Sequence, residues 1–243
     1  IAALLASPEI QVKKEAGTEQ ILVEEFMPGR EFALEGLMQQ GSLRVLAIFD
    51  KPDPLDGPYF EETLYVTPAR LPESEQAAMI ECLERAVRAL GLFHGPLHAE
   101  FRLNERGAWL LEVAARPIGG LCARALRFVP DLSLEELVIR NALGQPLDGI
   151  RRESAAAGVM MIPVPQAGIF EGVEGLEEAA QVPGIEQVQI TAKLYQKLVP
   201  WPEGASYPGF IFARAPSPKQ VEQALRAAHS RLLFRISPAL AVG

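Results

Sequence analysis

Three stretches of the chain set chemically competent side chains at intervals that could build a site. The first is Glu24-Glu25-Phe26-Met27-Pro28-Gly29-Arg30-Glu31. Pro28-Gly29 is a turn signal between an apolar run at 21–26 and a second one starting at Phe32. A hinge of this kind exposes backbone C=O and N–H groups that can pair with a purine edge. A carboxylate just past the turn, here Glu31, can accept two hydrogen bonds from a ribose diol. Taken alone, the segment fits a solvated acidic turn better than a ligand site.

The second is Leu97-His98-Ala99-Glu100-Phe101, followed by Leu110-Leu111-Glu112-Val113. A hairpin whose loop is Glu105-Arg106-Gly107, with Gly107 left-handed, sets Glu100 opposite Glu112 and on the same face as His98. Like charges directly opposite one another destabilise a sheet. Two carboxylates held that way between apolar flanks point to a bound cation. All-carboxylate ligation suits Mg²⁺ or Mn²⁺, typically bridged to nucleotide phosphates. The competing reading is a half-exposed sheet face with each glutamate in water, and the apolar flanks weigh against it. His98 either touches substrate or is a buried structural histidine. The third stretch is Arg116-Pro117-Ile118-Gly119-Gly120, where Gly119 and Gly120 bring bare backbone N–H groups to the start of a predicted helix. That arrangement binds anions, and Arg116 beside it could grip a carboxylate or a transferring phosphoryl group. Alone, it is a turn with a surface arginine.

These residues need elements to hold them. Alternating residues at 31–39, a Gln40-Gly41 turn and a Val/Leu/Ile-rich return at 43–49 predict a hairpin. The proline-rich stretch 50–59 is a loop long enough to be functional. An acidic start at Pro72-Glu73-Ser74-Glu75, then Met79, Leu83, Val87 and Leu90 at helical spacing, predict a helix stopped by Gly91. Strands follow at 95–103 and 108–114. Helices are predicted at 121–128 and at 133–143, the latter capped by Ser133 and ended by Gly144. A linker is expected at 146–154. Beyond it come strands at 158–163, 168–170, 185–190 and 209–214, with helices at 171–180 and 218–233. Residues 155–243 therefore read as a small, separate α+β lobe.

Composition narrows the function. The chain has 243 residues, 49% of them hydrophobic and 22% charged, enough for one large domain or two smaller ones. Its net charge of -8 comes without any basic cluster, so there is no electrostatic footprint for nucleic acid or for a membrane surface. No apolar run approaches the ~20 residues that span a bilayer. Cys82 and Cys122 form neither a disulfide framework nor a zinc spacing and fit a reducing compartment, so a cytoplasmic protein is expected. The opening Ile1-Ala2-Ala3-Leu4-Leu5-Ala6-Ser7-Pro8 reads as the last turns of a helix begun upstream.

In their order, the three motifs resemble the ATP-grasp superfamily of carboxylate–amine ligases, over residues 20–145. The hinge has the family's form, with Glu24, Gly29 and Glu31 in place. The resemblance implies that Glu24 and the backbone of Glu25 and Met27 meet adenine, that Glu31 binds ribose, and that Glu100 and Glu112 hold Mg²⁺. Many members carry Asn two residues after the second metal carboxylate, where this chain has Ala114. Glu112-Val113-Ala114-Ala115-Arg116 with its glycine turn is instead similar to the L-amino-acid ligase branch, in which the arginine steadies the phosphorylated intermediate. Asp50-Lys51-Pro52, Phe60-Glu61-Glu62 and Thr67-Pro68 resemble that branch too, as does the last lobe from Gly158 to His229. Lys51 then approaches the phosphates or stays solvated. The family's phosphate-binding lysines and glycine flap precede the hinge; Lys13 and Lys14 are too near it to replace them, so this chain alone is expected to be inactive.

The implied fold is α+β. Residues 1–20 end the small ATP-grasp subdomain, 21–150 form the large subdomain, an antiparallel sheet with flanking helices, and 151–243 the small C-terminal α+β lobe. The implied activity joins a small carboxylate to an amine, amino acids among them, with ATP and through an acyl phosphate. Arg116 is catalytic, while His98, Gly119 and Gly120 face substrate. A homo-oligomer is compatible with this reading. The alternatives are an ATP-grasp enzyme of purine or carbamoyl-phosphate type and a non-catalytic nucleotide-binding module.

Overall fold

The structure, a computed structural model, describes residues 23–55, 59–204 and 206–238. The subdomain tail expected at 1–20, with Lys13 and Lys14, lies outside the described residues. Strand β1 (Arg30–Gln39) turns back through Gln40 and Gly41, both at positive φ, into β2 (Ser42–Asp50). Two successive positive-φ residues match the right-handed twist of the flanking strands. β3 is Leu64–Thr67, and helix α1 is Glu73–Ala89. The hairpin β4 (Gly95–Asn104) and β5 (Gly107–Ala114) follows, with β4 pairing along β1.

Both faces of β1 are buried. Phe32, Leu34 and Met38 meet Met79, Leu83 and Val87 of α1 on one side. Ala33 and Leu37 face a second core, which includes Phe49, Tyr65, Cys122 and Phe128. The i, i+4, i+8 spacing of Met79, Leu83 and Val87 is what lets α1 cover the sheet. At roughly 2 kcal/mol for each such side chain taken out of water, this stripe outweighs the helix's own marginal propensity.

The next segment corrects two expectations. Residues 121–128 form no α-helix, only a 3₁₀ turn at Cys122–Ala125. Cys122, Ala123, Ala125, Leu126 and Phe128 are all buried, and only Arg124 and Arg127 turn outward. Phe128 then opens β6 (Phe128–Val129), which pairs with β7 (Arg151–Arg152) inside the expected linker. Helix α2 (Leu134–Ala142) matches its prediction, with the Ser133 hydroxyl accepting from the Glu136 N–H and Gly144 at φ +66° beyond its end.

The C-terminal part holds β8 (Ala156–Met161), β9 (Gly168–Glu174), helix α3 (Leu176–Ala180), β10 (Ile185–Ile190), β11 (Lys197–Leu198), β12 (Gly209–Ala215), helix α4 (Pro218–His229) and β13 (Leu233–Ser237). The helix expected at 171–180 shrinks to α3, because 171–174 continue β9. Gly175 marks the break at φ +80°, where a Cβ would lie 1.9 Å from the Arg231 carbonyl oxygen. The last helix stops at His229, and β13 was not foreseen.

Eight strands make one sheet in the order β10-β12-β8-β3-β2-β1-β4-β5. The β3–β8 pairing carries it without a break from the first part of the chain into the last. Helix α4 packs on β8 and β12 through Val221, Leu225 and Ala228, and β11-β9-β13 form a small second sheet. Among the described residues, no helix is long and apolar enough to cross a membrane.

Candidate active site

The register of β4 against β5 decides which side chains meet. Asn104 pairs with Gly107, so the loop is Glu105-Arg106 and one residue shorter than expected. A bulge then leaves Leu111 unpaired, and Glu100 lies opposite Glu112 after all. On the other side of β4, His98, Glu100 and Arg102 oppose Glu35, Ala33 and Glu31 of β1. Directly opposed residues share a face. One sheet face therefore carries Glu31, Glu35, His98, Glu100, Arg102 and Glu112, with Ala33 keeping space beside Glu100.

Lys51 leaves β2 next to this group and is buried, not solvated. Its Nζ lies 2.8 Å from Glu31 Oε1 and 3.1 Å from Glu100 Oε1, and it donates to Glu62 as well. Glu31, Glu62 and Glu100 each turn an oxygen into one volume, all within 4.8 Å of one another. The Tyr65 hydroxyl donates to Glu62 at 2.8 Å. Arg102 donates to Glu31 Oε2 at 3.0 Å. A cavity of about 390 Å³ opens beside the group, lined by Phe26, Arg30, Glu31, Asp50, Lys51 and Arg102 among others.

His98 is buried, as the structural reading had it, and it connects two carboxylates. Its Nδ1 meets Glu35 Oε1, and its Nε2 lies 3.3 Å from Glu100 Oε1. Glu35 in turn accepts the Ile118 N–H at 3.1 Å. Burial works against the imidazolium, but hydrogen bonds to Glu100 and Glu35 win and push His98 up to about 9. Burial likewise opposes the Glu100 carboxylate. The His98 hydrogen bond and the Lys51 charge overcome it and hold Glu100 down at about 2. Burial raises the Glu35 carboxyl, against the pull of His98. For Lys51, burial is outweighed by the charges of Glu62, Glu100 and Glu31, so its ammonium is held above the ordinary value. Burial drives the Cys122 thiol up to about 12, which leaves it an inert core residue.

The other predicted residues lie farther out. Glu112 is opposite Glu100 but largely exposed, and its nearest cation is Arg116 at 3.9 Å. Arg116 is exposed and donates back to the Pro117 carbonyl at 3.0 Å. Gly119 and Gly120 are exposed and lead into the 3₁₀ turn, so the helix N-terminus expected to support an anion there does not form. Glu24 and Glu25 are exposed on an extended segment, while the Met27 carbonyl accepts from Arg102 at 3.1 Å. Glu35, Tyr65 and Arg102 were not singled out from sequence, and Glu62 entered only through the resemblance of Phe60-Glu61-Glu62. Glu35 and Arg102 could have been, since strand period places them on the face of Glu31 and Glu100.

Two family models match the chain: one described as ATP-grasp domain over residues 6–125, the other as L-amino acid ligase C-terminal domain 2 over residues 160–237. Uncharacterized protein y4rH of Sinorhizobium fredii is 25% identical over 219 residues, 90% of this chain and 45% of that protein. Carnosine synthase 1 of Gallus gallus is 35% identical over 173 residues, 67% of this chain and 18% of that protein. The crystal structure of L-amino acid ligase from Bacillus licheniformis superposes with a TM-score of 0.76 at 34% identity, over 87% of this chain and 53% of that one. The chain thus spans less than half the length of these curated relatives.

Proposed function

We propose, from the premise that this chain belongs to the ATP-grasp family, that the whole protein is an ATP-dependent carboxylate–amine ligase. Residues 21–150 act as the large ATP-grasp subdomain and 151–243 as the C-terminal lobe. One observation carries the reading. Glu100, set opposite Glu112, converges with Glu31 and Glu62 on the ammonium of Lys51 at the edge of a cavity.

The residues present fit a hard divalent cation, because the converging donors are all carboxylate oxygens. Glu100 and Glu112 would hold Mg²⁺ or Mn²⁺, with Glu62 and Glu31 beside them. Such an ion would supply neutralisation of phosphate charge. Lys51 keeps the oxygens of Glu31, Glu62 and Glu100 compensated. Glu31 accepts from the ribose hydroxyls, and the hinge at Glu24, Glu25 and Met27 presents backbone to adenine. The substrate carboxylate oxygen attacks the γ-phosphorus, the bond to the β-phosphate oxygen breaks, and ADP and an acyl phosphate form. The amine then attacks the acyl carbon, phosphate leaves with the carboxylate's original oxygen, and the nitrogen loses a proton to give an amide. Arg116, exposed toward solvent and paired only at 3.9 Å with Glu112 among the described residues, supplies a planar cation to the acyl phosphate. His98 positions Glu100 for this chemistry. The relatives' names support an amino acid on at least one side of the bond. The free cysteines agree with a reducing cytoplasm as its location.

The test is isotopic. The whole protein, given ATP, Mg²⁺ and amino-acid pairs, releases ADP only when both substrates are present. An ¹⁸O label in the carboxylate of the acyl donor appears in the released phosphate. Release of AMP and pyrophosphate instead means an acyl adenylate and refutes the mechanism.

A further inference from the structure

The segment 23–29 has no regular secondary structure, yet it must present a fixed backbone edge if it is to recognise a base. Its order comes from the end of β4. Gly29, at φ +140°, packs so tightly that a Cβ there would lie 2.3 Å from the Leu103 carbonyl oxygen. Asn104 Nδ2 donates to the Pro28 carbonyl at 2.7 Å. Arg102, only 4% exposed, does the most. Its guanidinium donates to the Met27 carbonyl at 3.1 Å, to Glu31 Oε2 at 3.0 Å and to the Leu55 carbonyl. It also lies 5.0 Å from the centroid of the Phe26 ring and 5.5 Å from that of Phe60, whose planes are 11° from parallel. One buried cation thus fixes the hinge, the carboxylate after the turn, and the loop that carries Lys51 and Glu62.

We infer that Arg102 is the positioning residue of the nucleotide site, joining the adenine hinge at Met27 to the ribose carboxylate Glu31 and to the loop at Leu55. The inference rests on the ligase reading above and adds a residue that acts without touching the reacting atoms. A rigid fork with several donors is required here. Lysine can satisfy Glu31 as a point charge but cannot also reach two carbonyls in fixed directions. Losing hydrogen bonds that a charged donor makes typically weakens an interaction by roughly ten- to a hundredfold. The loss falls on ground-state nucleotide binding, because the contacts to Met27 and Glu31 precede chemistry.

The test uses the whole protein, with ADP as the calorimetric ligand and ADP release as the kinetic readout. Arg102→Lys keeps a cation beside Glu31. It is expected to raise both the Kd for ADP and the KM for ATP by roughly ten- to a hundredfold, while kcat at saturating ATP falls less than about threefold. Phe60→Leu removes one aromatic face and leaves every buried charge paired. It is expected to shift Kd and KM the same way by a smaller factor, and it decides the matter if Arg102→Lys does not fold. Unchanged ADP affinity in the folded variants, or equal losses in kcat and kcat/KM, would overturn the role of Arg102 and leave the ligase reading intact. Wild-type protein that binds no nucleotide would remove the reading itself, and this inference with it.

Discussion

Lys51→Met is the sharpest probe of the acidic group. Methionine matches the length of lysine's stem and removes only the ammonium. The loss leaves Glu31, Glu62 and Glu100, with oxygens inside 4.8 Å of one another, without their shared counter-charge. At an effective dielectric of about 20, two unit charges at that separation repel by roughly 3 kcal/mol. Breaking a buried ion pair from one side costs about 3–5 kcal/mol. For a unit of this size that predicts a fall of roughly 6–20 °C in melting midpoint at pH 7. The deficit depends on pH with a definite sign. Glu100 is depressed from 4.5 to about 2, with Lys51 among the causes. Its ionised form therefore stabilises the native state above pH 4.5, and that contribution is lost as pH falls toward 2. Wild type and variant should accordingly converge across that window. Adding Mg²⁺ should raise the variant's midpoint more than the wild type's, because the freed oxygens suit the ion and ligand binding stabilises by mass action. Calorimetric melts at several pH values with and without Mg²⁺ measure all of this. A variant as stable as wild type at pH 7 would show that Lys51 is not the counter-ion that holds these carboxylates together.

Arg116→Ala should lower kcat by about a hundredfold to a thousandfold with a smaller change in the KM for ATP, and Arg116→Lys should restore only part of it; steady-state ADP release checks both. His98 is raised from 6.5 to about 9, so its stabilising contribution is complete below pH 6.5 and is lost as pH rises through 9. Melts from pH 6 to 10 should show that alkaline limb in wild type and a flatter curve in His98→Asn. Chelation by EDTA should abolish ADP release, and Mg²⁺ or Mn²⁺ should restore it, whereas Ca²⁺ should restore it poorly because its looser, larger coordination shell does not match the site. Gly158→Ala should destabilise by about 1–3 kcal/mol, since a Cβ there meets Val221 Cγ1 at 2.7 Å and the Tyr65 carbonyl oxygen at 2.8 Å; a denaturant titration reads it.

What the sequence revealed of this site follows a physical boundary. The longer strands, β1, β2, β4, β5, β8, β10 and β12, and α1 were legible because their apolar periods are local and strong, whereas the short β3, β6, β7 and β11 and the last strand β13 were not. Glu100 and Glu112 were legible because a hairpin relates them through a short loop. Lys51 and Glu62 entered only through resemblance, and their meeting was not legible, since they come together only when a loop folds back on itself and proline content says nothing about where a loop returns. Glu35 and Arg102, though strand period sets them on the face of Glu31 and Glu100, were passed over for a different reason. Alternation reveals polar residues when one face of a strand is wet, but both faces of β1, which carries Glu35, and of β4, which carries Arg102, are largely buried. A charged residue there breaks no visible pattern and reads as surface. The separate-lobe expectation missed the β3–β8 junction because strand pairing across about 90 residues leaves no trace in either segment alone.

The pair Glu100 and Glu112 shows how narrow that legibility was. The expected loop was one residue too long, and that error alone should have misplaced the partner of Glu100. With the observed Asn104–Gly107 closure and an unbroken ladder, Glu100 would face Leu111, and Glu112 would point to the opposite side of the sheet. Leu111 prevents this by dropping out of the ladder, and its side chain is exposed. The bulge therefore restores the alternation that a shorter turn would have reversed, and it does so one residue before the carboxylate that must face Glu100. Bulges re-aim side chains next to functional sites. Here the re-aimed group is Glu112, and the unpaired leucine is what gives the sheet its second carboxylate on the site face.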